Sequence, residues 1–214
     1  MRIGICGGGP REQLPLTLEA DYWIGADSGA IRLLEKGVTP DFIIGDLDSI
    51  QNAEREKWQS QLMQAVQVSP EKDETDTYLA LERAVEMLPK QIVLVGVTGG
   101  RLDHYQAVLH DMLRFQLQFP SIQFELLDRD NRILFLQPGV TEVEKNEYTY
   151  CSFFSWQGDV LNVSLTGFKY PVQNDLISKT SARFTSNEIV EQVGSISFSS
   201  GICLCIQSRE ESGD

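Results

Sequence analysis

Residues 92 to 97 read Ile-Val-Leu-Val-Gly-Val, a near-continuous aliphatic run, and a strand this apolar needs cover on both of its faces. Helical spacing flanks it on either side. Leu81, Ala84, Val85 and Leu88 stand at i, i+3, i+4 and i+7 before it, with Pro89 as a stop, and Tyr105, Val108, Leu109 and Met112 repeat the spacing after it. A buried strand between amphipathic helices is the unit of a parallel sheet with crossover helices. The same unit reads back to the N-terminus. Strands are expected at 2 to 6, 22 to 25, 42 to 44 and 65 to 68, with helices from 29 to 36, stopped by Gly37, and from 52 to about 63.

Beyond about residue 118 the rhythm changes to period two. Segments 122–127, 133–136, 148–156, 160–165, 195–198 and 202–207 are short and mostly alternating, divided by Asp128-Arg129-Asp130-Asn131, Pro138-Gly139, Gln157-Gly158 and Ser200-Gly201. That pattern argues for antiparallel structure, a β-sandwich by expectation. The fold class is therefore α/β plus all-β. Residues 1–130 form a Rossmann-like parallel-sheet domain and 131–214 a sandwich, the first β segment being able to complete the N-terminal sheet. The tail from Arg209 is expected to be disordered.

Asp and Glu outnumber Lys and Arg by 31 to 18, a formal charge of −13, and no basic run exceeds two residues. A nucleic-acid partner is not expected, since phosphate-backbone binding needs clustered cations. The four cysteines have no CxxC spacing and only two histidines to assist them, which argues against structural zinc and for reduced, buried thiols. No apolar stretch is long enough for a membrane span and no signal-peptide pattern opens the chain, so a cytoplasmic location is expected.

Three turns carry the chemistry. Asp46 and Asp48 follow the third strand, Asp73 and Asp76 precede a helix, and Arg101, Asp103 and His104 follow Thr98-Gly99-Gly100. Singly, each acid has a bland reading as a helix cap or a partner of the helix dipole. Right-handed crossovers, however, bring all three turns to one edge of one sheet, where such folds bind ligands. A cap is worth about 1 kcal/mol. Two carboxylates about 4 Å apart repel by roughly 4 kcal/mol at an effective dielectric of 20. If the carboxylates converge this closely, the site is expected to hold divalent cations or to raise some carboxylate pKa values, and an oxygen-only donor set favours Mg²⁺ over zinc. Magnesium sites of this kind work with substrate phosphates, for which the glycine turns and Arg101 supply amides and a guanidinium. Gly7-Gly8-Gly9 after the first strand and Asp27 after the second are further candidates, Asp27 being equally able to cap a helix. The chain has no GxxxxGK[ST], so it is no P-loop enzyme. Phosphoryl or pyrophosphoryl transfer, nucleotide hydrolysis, nucleotidyl transfer and nucleotide sensing all remain compatible with these residues.

GDLDS at 45–49, KDETD at 72–76, GGRLDH at 99–104, LTGFKYP at 165–171 and TSNE at 185–188, in that order, resemble the thiamine pyrophosphokinase (thiamine diphosphokinase) family. ADSGA at 26–30 resembles its second turn. Leu47 stands where an aromatic is common and Ser28 where glycine is. The resemblance implies an ATP-binding α/β domain, a thiamine-binding β-sandwich and a homodimer holding thiamine between subunits. It implies that Asp46, Asp48, Asp73, Asp76 and Asp103 hold Mg²⁺ and the polyphosphate and that Arg101 contacts the phosphates. Gly8, Asp27, Thr98, Gly99, Gly100 and His104 would lie near the nucleotide, and Ser186 and Asn187 would line the thiamine pocket.

Overall fold

A computed structural model of the chain describes residues 1–47, 50, 52–68 and 74–210. Two compact units, Met1–Arg129 and Asp130–Asp214, divide it. The first unit carries strands β1 (Arg2–Cys6), β2 (Tyr22–Ala26), β3 (Phe42–Ile44), β4 (Val66–Val68), β5 (Gln91–Val95) and β6 (Gln123–Leu127). All pair in parallel, in the order β4-β3-β2-β1-β5-β6. The first segment of the alternating region thus completes the parallel sheet. Among the described residues the connections carry the α-helices α1 (Gly29–Glu35), α2 (Asn52–Lys57), α3 (Gln59–Leu62), α4 (Asp76–Glu86) and α5 (Leu102–Gln118), with a short 3-10 helix at Arg11–Gln13.

The aliphatic strand β5 is covered as its composition requires, Ile92, Val93, Leu94 and Val95 each being at most 1% exposed. Every such side chain removed from water contributes roughly 1.5–3 kcal/mol. On α4 the predicted face holds for Leu81, Ala84 and Val85, with Ala80 beside them. Leu88 does not belong to it. It is 80% exposed and has φ +50°, because the ring of Pro89 disfavours helical backbone in the residue before it. Thr75 starts the same helix as its N-cap, its Oγ1 accepting from the Tyr78 amide at 3.1 Å. Thr75→Ala is expected to cost about 1 kcal/mol, read as a lower denaturation midpoint; an unchanged midpoint would show that the cap adds nothing.

The expected helix from 52 to 63 is two pieces. The division falls at Trp58, whose φ of −107° leaves helical backbone although its amide still donates to the Glu54 carbonyl at 3.0 Å and its carbonyl accepts from the Leu62 amide at 2.9 Å. Its side chain packs against the buried cluster that includes Leu47, Ile50 and Leu62. Gly37, at φ +78°, ends α1 where the sequence places the stop.

The second unit carries β7 (Asn131–Leu136), β8 (Gly139–Glu144), β9 (Tyr150–Thr166), β10 (Val172–Ile177), β11 (Val193–Phe198) and β12 (Ser200–Ser208). All pairings are antiparallel, in the order β7-β12-β9-β11-β8 with β10 on β9. Gln157-Gly158 is no turn here, since β9 runs through it. Gly158 takes φ +69°, the Gly158 carbonyl accepts from Ser155 Oγ, and the β12 register shifts alongside. A bulge has absorbed the extra residue. Strands β8 and β10 had no counterpart in the alternation: Val143 is the one residue buried in β8, and Ile177 the one in β10.

The four cysteines are free and buried. Cys203 and Cys205 share a core face with Phe153 and Leu165, and desolvation raises the thiols of Cys6, to about 12, and of Cys203. Arg209, expected in a loose tail, instead returns its amide to the Asp130 carbonyl at 3.0 Å. Among the described residues no helix is long and apolar enough to cross a membrane.

Candidate functional site

Strand order runs leftward from β1 through β4 and rightward through β5 and β6. The chain therefore diverges at the β1/β5 junction, the crevice where open parallel sheets place ligands. A cleft of about 710 Å³ opens there. Its floor is two glycine turns laid side by side. Beyond the ends of β1 and β5 the Gly7 amide donates to the Val95 carbonyl at 2.8 Å and the Gly9 amide to the Gly96 carbonyl at 2.7 Å. A Cβ on Gly9 would stand 2.6 Å from the Gly96 oxygen, so only glycine permits the approach.

Around this floor the elements deliver polar groups. Gly8 and, past β5, Thr98 and Gly100 line the cleft. Thr98 Oγ1 is buried and has no hydrogen-bond partner among the described residues. Gly99 turns at φ +76°, and a Cβ there would stand 2.6 Å from Gln13 Cγ. Arg101 and His104 line the wall that begins α5. Asp103 is held by Arg101 through Nε to Oδ1 at 3.1 Å and Nη2 to Oδ2 at 2.5 Å. That guanidinium holds the Asp103 carboxyl below its usual range, with the His104 and Asp103 amides adding to it.

Asp27 lies at the end of β2 with φ +50°, its amide donating to the Ile44 carbonyl at 2.7 Å. The N-cap position of α1 falls on Ser28, so Asp27 stands before the helix and lines the cleft, as does Asp76. The Asp76 carboxyl carbon is 3.2 Å and the Asp27 α-carbon 3.3 Å from where a Cβ on Gly45 would stand. One glycine thus brings the ends of β2 and β3 and the start of α4 together. Asp46 follows, exposed, beside a hollow of about 430 Å³. Arg55 Nη2 donates to the Leu47 carbonyl at 2.8 Å and to the Asp46 carbonyl at 3.4 Å, a clamp needed where Leu47 takes φ +61°.

Asp48 and Asp73 lie outside the described residues. Among the described residues no three acidic, histidine or cysteine side chains sit close enough to hold a metal by themselves. The donors that do gather, Asp27 and Asp76 with Asp46 on the adjoining turn, are all oxygen, which fits Mg²⁺ completing its shell with phosphate and water. The motif reading passed over Arg32, a cleft-lining cation on α1. Its sole sequence signal was its place one turn into the helix behind Asp27.

Ser186 and Asn187 belong to the second unit. Ser186 is exposed, with φ +57° and its amide bonded to Ser152 Oγ at 2.9 Å. Asn187 is buried, and its side chain is spent on backbone: Oδ1 accepts from the Tyr170 and Glu188 amides at 3.0 and 2.9 Å, and Nδ2 donates to the Tyr170 carbonyl at 3.0 Å. Lys169 meets Glu188 at 2.7 Å. Phe198 belongs to the core, and Trp156 meets Phe135 edge-on at 5.1 Å.

These features define an α/β unit with a cleft at the switch point of its parallel sheet, followed in the chain by an antiparallel β unit. Residues 15–124 match the family described as thiamin pyrophosphokinase, catalytic domain, and 140–203 that described as thiamin pyrophosphokinase, vitamin B1 binding domain, so the chain belongs to the thiamine pyrophosphokinase family. The thiamine pyrophosphokinase of Bacillus subtilis (strain 168) is 37% identical over 97% of this chain and 99% of its own. The crystal structure of thiamine pyrophosphokinase from Bacillus subtilis superposes with a TM-score of 0.92 at 36% identity, covering 98% of this chain and 100% of that one. That from Geobacillus thermodenitrificans gives 0.89 at 37% identity, covering 99% of both.

Proposed function

We propose that this chain is a thiamine pyrophosphokinase, transferring the pyrophosphoryl group of ATP to the thiamine hydroxyl and releasing AMP. The observation that carries the reading is the oxygen-lined cleft at the β1/β5 switch point in a chain matching this family in both of its units. In this reading the first unit is a Rossmann-like ATP-binding domain and the second a thiamine-binding β-sandwich, working as a cytoplasmic homodimer with thiamine at the subunit interface.

When bound, Mg²⁺ would supply charge neutralisation of the polyphosphate, whose β-phosphorus the thiamine hydroxyl attacks in line as AMP leaves. Asp46, Asp48, Asp73, Asp76 and Asp103 serve this ion and the phosphates. Arg101, steered by Asp103, meets the charge that develops on the transferred group. Gly8, Asp27, Thr98, Gly99, Gly100 and His104 shape the nucleotide end. Ser186 meets thiamine, and Asn187 holds the loop that presents it. Positioning supplies most of the rate, and the hydroxyl proton leaves to a carboxylate or to water.

Thiamine added to protein with Mg-ATP is expected to release AMP in step with thiamine diphosphate. A thiamine-independent release of ADP would replace this reading with that of a nucleotide hydrolase. Tight ATP binding without any turnover would make the chain a sensor.

A further inference from the structure

Arg32 sits on α1 with its side chain 14% exposed, lining the cleft. Its Nε donates to the Gly9 carbonyl at 3.0 Å, which fixes the guanidinium against the glycine turn. The acid beside it is already engaged. Glu35 accepts Arg11 Nε at 2.8 Å on one oxygen and Arg11 Nη2 at 2.9 Å on the other, so Arg32 Nη1 is left at 3.7 Å from Glu35, beyond hydrogen-bond length. Arg11 is in turn shared with Glu54 at 2.7 Å. A guanidinium has five N–H donors. The Gly9 bond uses one, and the described residues accept no other.

A second observation points to what the spare donors are for. Thr98 Oγ1, on the neighbouring turn of the same cleft, is buried with no partner among the described residues. An unpaired buried hydroxyl is costly unless a ligand or water meets it. A fixed guanidinium fork and an unpaired hydroxyl beside a glycine turn suit an anion with several oxygens.

We infer that Arg32 is a phosphate-binding residue of this cleft, held by the Gly9 carbonyl, with Thr98 Oγ1 donating to the same polyphosphate. The inference rests on the reading of the cleft as a nucleotide site and adds to it a second guanidinium besides Arg101. The competing role is a structural clamp on the glycine turn, and the two roles differ in which part of the nucleotide they affect. Affinities for ATP, inorganic tripolyphosphate and adenosine, measured on the intact protein with Mg²⁺, separate them.

Arg32→Gln is expected to weaken ATP and tripolyphosphate about ten- to a hundredfold, the scale of a lost charge-assisted hydrogen bond, while changing adenosine less than about twofold. Arg32→Lys, keeping charge without the fork, should fall between. Thr98→Val should weaken tripolyphosphate about three- to tenfold. Equal weakening of all three ligands, or an unchanged tripolyphosphate affinity, overturns the assignment. Should Arg32→Gln not fold, Arg32→Lys decides by the same ratio of tripolyphosphate to adenosine affinity. Failure of the inference is distinct from failure of the proposed activity. AMP release with Arg32-independent tripolyphosphate binding removes only the former, and Arg32-dependent binding without thiamine-driven AMP release removes only the latter.

Discussion

Asp76→Asn is expected to lower turnover by about 10²- to 10³-fold, the range seen when one charge-stabilising group is removed from a reacting centre, with the fold intact. Asparagine has the shape of aspartate, so the close packing of this carboxyl over Gly45, 3.2 Å from the Cβ position, is kept. Only the charge goes. Asp76 is the first residue of α4, where a negative charge is worth about 0.3–1 kcal/mol to the helix. Against that stands repulsion from Asp27 and Glu74, which line the same cleft. The two terms oppose one another, so the melting temperature should hold or rise slightly while activity collapses. ATP affinity supplies a sign test: without Mg²⁺ the variant should bind ATP more tightly than wild type, and with Mg²⁺ less tightly. Full turnover in Asp76→Asn would remove this residue from the reaction, and a stability loss matching the activity loss would make it structural.

The parallel half of the fold was legible because its signals are local and redundant. Ile92–Val97 has no polar side chain, Leu81, Ala84 and Val85 keep helical spacing, and β1, β2, β3, β5 and β6 are each followed by a glycine or an aspartate. Errors fell where a single residue outweighs the pattern, as Pro89 does in turning Leu88 out of α4. In the second unit the alternation was diluted. Strands β8 and β10 each bury a single side chain, and Gly158, a turn residue by composition, sits inside β9 as a bulge. Of the cleft, Asp27, Asp76, Thr98 and Arg101 could be read from their turns. Arg32 could not. Its role depends on Glu35 being occupied by Arg11, a contact between separate elements that sequence spacing does not encode. For Asn187 the motif did not reveal burial, since its side chain is bonded to the Tyr170 backbone across the fold.

Gly29→Ala is expected to destabilise the first unit by about 3 kcal/mol or more, although helix propensity alone argues for the reverse sign. Gly29 is the first residue of α1, and alanine is better than glycine in a helix by about 1 kcal/mol. The packing term opposes this and is larger. A Cβ at Gly29 would fall on the Cys6 carbonyl oxygen, 2.6 Å from the Cys6 carbonyl carbon and 3.0 Å from that of Gly7. These are backbone atoms at the end of β1 and of the residue after it, and β1 is paired on both sides by β2 and β5, so they have no rotamer with which to yield. The helix must move instead, and overpacking of this kind costs typically about 1–3 kcal/mol and sometimes more. Such a shift carries Asp27 and Arg32 away from the glycine turns, so nucleotide binding should fall with the melting temperature, by roughly 10 °C for a unit of this size. Gly37→Ala is the matched control at the other end of α1. There φ is +78° and nothing lies within 4 Å of the added carbon, so only the left-handed conformation is penalised, at about 1–2 kcal/mol. A Gly29→Ala protein as stable as the Gly37→Ala one would show that α1 lifts off β1 freely, and that the cleft is not built on backbone contact between them.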